Sequence, residues 1–100
     1  MSTISEDEFE KLCRDIYADR QQIYSFHPNA PRREALLWML LGCLVSLLSV
    51  PDSEHPTLHD GTHPDPYAEA IRELLRGRTQ PPFDPRPHLS KLAAELEAEA

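Results

Sequence analysis

In the first quarter of the chain, Phe9, Leu12, Cys13, Ile16, Tyr17, Ile23 and Tyr24 recur at helical intervals and draw one apolar stripe beside a charged, wet face. Its start is marked twice. Ser5 and Glu8 have the spacing of a capping box, and Ile4 and Phe9 that of a hydrophobic staple. Pro28 disfavours helical backbone at the residue before it, so the pattern predicts a first helix over about 5–25.

The second apolar segment is of a different kind. From Ala35 to Val50 there is no charged residue. Asn29 is placed to cap a helix with Pro31 in its first turn, and Pro51 ends it, which predicts a helix over about 30–50. At 100° per residue, Leu36, Leu37, Leu40, Leu41, Leu44, Leu47 and Leu48 share one broad side. Ala35, Gly42, Ser46 and Ser49 lie opposite, beside Trp38 and Met39. A helix apolar all round is expected to be buried all round. The leucine side suits the chain's own helices, while the small residues let another backbone approach closely, and a second copy of the same helix is the natural candidate.

Two shorter helices follow. Asp65 as cap, Pro66 at the first position and Gly77 as stop bracket a helix over about 66–76, with Tyr67, Ala70, Ile71, Leu74 and Leu75 as its apolar residues. Leu89, Leu92, Ala93 and Leu96 make a narrow stripe for a last helix over about 88–97, after which the acidic, alanine-rich tail is expected to fray. The connectors are 51–65, which is acidic and polar, and 78–87, which is proline-rich with Phe83 as its apolar anchor. The expected fold is therefore all-α, a single domain over 1–100. It is a compact, four-helix bundle-like arrangement with proline-rich loops and the second helix at its centre. Two short helices with narrow stripes cover little of a helix that is apolar on every side. The shortfall predicts a homodimer in which the second helices, or the first and second together, meet across a two-fold axis.

Charge and cysteine usage narrow the partners. A formal net charge of -7, concentrated in the 52–65 connector and the C-terminal glutamates, repels polyanions, so no nucleic acid is expected. Cys13 and Cys43 sit within apolar helical pattern rather than in a paired motif, which fits buried thiols in a reducing compartment. The first apolar run begins only after more than thirty mixed-charge residues and the N-terminal stretch is acidic, unlike a secretory signal, so a cytoplasmic location is expected. The uncharged run of sixteen residues falls short of the ~18–20 needed to span a bilayer, and no membrane is expected as a partner.

Candidate chemistry is sparse. His55, His59 and His63 are spaced four apart among Asp52, Glu54, Asp60 and Asp65, all ligand types for zinc or another divalent metal. Pro56, Gly61 and Pro64 preclude one unbroken helix there, so a metal site requires the loop to bring the three imidazoles together. His27 and His88 are possible acid and base groups, but nothing in the pattern unites them. Three glycines in the whole chain supply no phosphate-cradling loop and no nucleophile elbow. Arg32 and Arg33 stand in the first turn of the second helix, where the helix dipole disfavours cations, and are expected to answer Glu34, Asp15, Asp19 or an external acid. Tyr17, Tyr24 and Phe26 read as core, and Trp38 as an anchor on the small-residue side.

By elimination the expected role is non-catalytic: a small cytoplasmic interaction module, acting as an adaptor, regulator or accessory subunit. Its surface would carry Trp38, Met39, Gly42, Ser46, Arg32 and Arg33, with itself and another protein as partners. The alternative is a metal-binding protein or metal-dependent enzyme built on His55, His59 and His63.

Overall fold

The computed structural model describes residues 3–56 and 65–99. Among them run α1 (Glu6–Ala18), α2 (Arg20–Phe26), α3 (Arg32–Leu47), a single 3-10 turn (Asp52–Glu54), α4 (Pro66–Leu75) and α5 (Arg86–Ala98). The all-α class and the central apolar helix agree with the sequence reading. The number of helices does not, because the expected first helix is two.

α1 begins as the capping box predicts. Ser5 accepts from the Glu8 backbone N–H while the Glu8 carboxylate accepts from the Ser5 backbone N–H. Ile4 and Phe9, the staple pair, are both fully buried. Ile4 is also held from the far end of the chain: its N–H donates to the Arg78 carbonyl, and its own carbonyl accepts from the Gln80 N–H, each at 2.9 Å. The break falls at Asp19, whose ψ of 12° leaves the helical range. Arg20 supports the break by turning its guanidinium back onto the Tyr17 carbonyl in the last turn of α1.

α3 packs against all four other helices and forms the core's axis. Leu36, Leu37, Leu40, Leu44 and Leu48 are buried with Phe9, Ile16, Ile23, Ile71, Leu74, Leu89 and Leu92. Its boundaries correct the expected ones. The N-cap is Pro31 rather than Asn29, and the helix ends at Leu47. There Val50 N–H bonds to the Val45 carbonyl and Ser49 N–H to the Ser46 carbonyl, the paired pattern that closes a helix through a left-handed residue. That residue is Ser49, with φ 52°.

α4 is capped by Asp65, which accepts from the Ala68 N–H, and it stops in a tight turn. Arg76 at φ -59°, ψ 120°, Gly77 at φ 74° and the Arg78 N–H bonded to the Leu75 carbonyl make a type II turn, whose third position needs a positive φ. Phe83 anchors the following connector by packing edge-on to Phe9, 5.4 Å between ring centres. α5 does not fray after Leu96. It stays helical to Ala98, and Glu99 accepts from the Tyr17 hydroxyl at 2.7 Å and pairs with Arg20.

Candidate interaction surface

One side of α3 is left open, which corrects the expectation that the helix is buried all round. Trp38 is 50% and Leu47 52% exposed, and Gly42 and Ser46 are exposed between them. A methyl group at Gly42 would meet nothing within 4 Å, so the chain's own packing does not require glycine at that position. Trp38 stands between two aromatic neighbours, His27 at 6.1 Å and Tyr67 at 6.0 Å between ring centres. These contacts bring the end of α2 and the start of α4 to α3's first turns. Ala35, assigned by the helical wheel to the open side, is buried there. Below Trp38 no other described residue covers the face, which carries a shallow apolar groove of about 290 Å³ between Leu41, Gly42, Val45 and Pro56.

Met39 turns to the other flank of α3 and is half-buried. With Cys43 it floors a second groove of about 300 Å³, whose walls are Leu12, Ile16, Ile23 and Phe26. Asp15, Asp19 and Gln22 stand on its rim. Phe26, expected in the core, is 69% exposed. The sequence reading missed this groove because one continuous apolar stripe was drawn through the α1–α2 break. The spacing carries no mark of the break, because Ile16 and Ile23 stand two helical turns apart with Tyr17 between them.

Of the two arginines expected to meet an acid, one does so within the chain. Arg33 pairs with Asp65 rather than with Glu34 or an acid of the first helix, and this holds the Asp65 carboxyl below the usual carboxylate range. Arg32 is exposed and lies over the Tyr24 ring at 5.1 Å. A further groove of about 380 Å³ between α4 and α5 is lined by Arg33, Arg72 and Arg86, yet Asp65, Glu69 and Asp84 pair with them in turn. The charges balance, so it offers no net attraction to an anion.

Of the three candidate metal-binding histidines, His59 and His63 lie outside the described residues. His55 is placed with its Nε2 3.1 Å from the Val50 carbonyl and 3.7 Å from the Asp52 carboxylate. Two of the candidate acids are engaged elsewhere, Glu54 with Arg78 and Asp65 with Arg33. Among the described residues no three histidine, cysteine or acidic side chains gather in a metal-binding group. His88 lies 3.2 Å from Glu6 on α1 while His27 lies against Trp38, so the two are engaged with different elements. Both cysteines are free; burial, with a smaller contribution from Glu10, pushes the Cys13 thiol up to about 12, and burial also raises that of Cys43. Neither is a ready thiolate at neutral pH.

Among the described residues no helix is long and apolar enough to cross a membrane. Comparison with protein-family models, with curated proteins and with solved structures gives no match for this chain.

Proposed function

We propose that the protein is a small, non-catalytic interaction module of the cytoplasm that works as a homodimer, with the open side of α3 as its self-association surface. The observation that carries this reading is the run of Trp38, Gly42 and Ser46 along a helix with no charge from Ala35 to Val50, left in water beside Leu41, Val45 and Leu47. An exposed apolar face of this kind on a small chain is characteristic of a protein contact. Trp38 supplies a large anchor, and the glycine and serine supply the close approach that a second helix needs. A two-fold axis beside Gly42 sets the same patch against itself, and such a contact closes at two copies. Arg32, at the exposed start of α3, lies over the Tyr24 ring, while Arg33 serves its own chain through Asp65. The free, high-pKa thiols fit a reducing compartment.

A native mass spectrum of the untagged protein tests the reading. A two-subunit species with no added mass supports it. A monomer at every accessible concentration removes the dimer, and a mass increment of one metal ion per chain turns attention to the 55–63 segment.

A further inference from the structure

The groove at the α1–α2 break differs from the open side of α3 in one respect: its floor is apolar and its rim is acidic. Leu12, Ile16, Ile23, Phe26, Met39 and Cys43 enclose about 300 Å³, a volume at the small end of known ligand sites, which run ~300–1,000 Å³. Phe26 forms its lip and is 69% exposed, although a phenylalanine is ordinarily placed in the core. Asp15 and Asp19, one helical turn apart on the rim, are exposed and form no ion pair among the described residues. The two nearest cations in sequence are not both free to answer them: Arg20 is committed to Glu99. A wholly apolar occupant would leave the two carboxylates unanswered at its edge, whereas a basic one meets them.

We infer that this groove receives an amphipathic helical segment of another protein, one that presents large apolar side chains at i, i+3 or i+4, and i+7 with lysine or arginine beside them. The apolar side chains fill the space between Ile16, Ile23 and Met39, and the cations face Asp15 and Asp19. Two carboxylates one turn apart match two cations one turn apart, so the rim favours one register of the segment as well as its charge. The inference rests on the protein being an interaction module but not on its being a dimer, because this groove shares no lining residue with the one at Leu41, Gly42 and Val45.

The test is a selection from a displayed library of sixteen-residue amphipathic segments, run on the full-length chain. The enriched consensus is then synthesised and titrated by fluorescence anisotropy against wild type and variants. Expected is a consensus with apolar residues at helical spacing and at least one lysine or arginine beside them. Its affinity should fall about five- to tenfold in Asp15→Lys/Asp19→Lys, with a weaker salt dependence, and should be lost in Met39→Glu. Binding to Gly42→Glu should be unchanged, which separates this site from self-association. Circular dichroism of each variant, half-buried Met39→Glu included, is expected to match wild type, so that lost binding is not lost fold. The inference is overturned by a consensus without basic residues, by binding indifferent to Asp15→Lys/Asp19→Lys or to Met39→Glu, or by a selection with no binder to the groove. A loss of dimer in Asp15→Lys/Asp19→Lys assigns the groove to a second copy instead and equally overturns it.

Discussion

The Tyr17 hydroxyl donates to the Glu99 carboxylate at 2.7 Å, joining residues 82 positions apart and fastening the last turn of α5 to the end of α1. The same carboxylate pairs with Arg20, the first residue of α2, whose guanidinium also holds the Tyr17 carbonyl. One C-terminal side chain thus supports the break between α1 and α2. In Glu99→Gln the ion pair is lost and in Tyr17→Phe the hydrogen bond is lost. Hydrogen exchange is expected to show faster exchange in both variants, at the amides following Asp19 and in the last turn of α5 together. Faster exchange at one place only would separate the two.

The end of α3 carries a residue in the wrong chemistry for its backbone. Ser49 at φ 52° occupies the left-handed position that glycine fills without penalty. Ser49→Gly is expected to stabilise the fold by about 0.5–1 kcal/mol in urea unfolding. Gly77→Ala, at φ 74° in the type II turn, is expected to lower stability by about 1 kcal/mol or more although its side chain would meet nothing.

Leu44 and Leu47 are both leucines of α3, less than one turn apart, yet Leu44 is fully buried and Leu47 half exposed. Leu44→Ala should cost about 2–5 kcal/mol through the cavity it leaves. Leu47→Ala should change the stability of the single chain by no more than ~0.5 kcal/mol. Equilibrium unfolding at a protein concentration too low for dimerisation makes the comparison free of association effects.

Asp65 gives the fold an acid-sensitive contact. Arg33 first, and the Ala68 N–H to a lesser degree, depress its pKa against the opposing effect of burial. A carboxyl whose folded pKa is lowered stabilises the protein fully above its unfolded pKa of ~3.9, and loses that contribution as pH falls through the folded value. Asn remains a good cap, so Asp65→Asn removes the charge alone. The stability difference between wild type and Asp65→Asn should be constant above about pH 5 and shrink as the pH falls below the unfolded value of ~3.9 and through the folded one.

Helix starts and stops that depend on neighbouring residues were legible in the sequence. Ser5 with Glu8, Asp65 with Pro66, and Gly77 all act as their types predict, because capping and turn chemistry are local. The break at Asp19 was not legible, since its support comes from Glu99, nearly the length of the chain away. The helical wheel put Leu47 with the buried leucines and Ala35 with the open ones, and the structure reverses both. A wheel gives the direction of a side chain, whereas burial also requires a neighbouring element that reaches that far along the axis. Trp38, Gly42 and Ser46 share one side, as the wheel places them, but the expectation was burial all round and the structure leaves that side exposed. The groove at Phe26 was invisible for the same reason as the break that creates it.

The most direct measurement of the α3 contact is sedimentation equilibrium of wild type beside Gly42→Glu. Gly42 has open space around it and glutamate favours helix over glycine, so the substitution leaves the single chain folded while placing a charge where the two copies meet. Expected is a wild-type protein that dimerises with concentration and a Gly42→Glu protein that remains a folded monomer. A wild type that is monomeric throughout, or a Gly42→Glu protein that dimerises as well as wild type, would contradict self-association through this face.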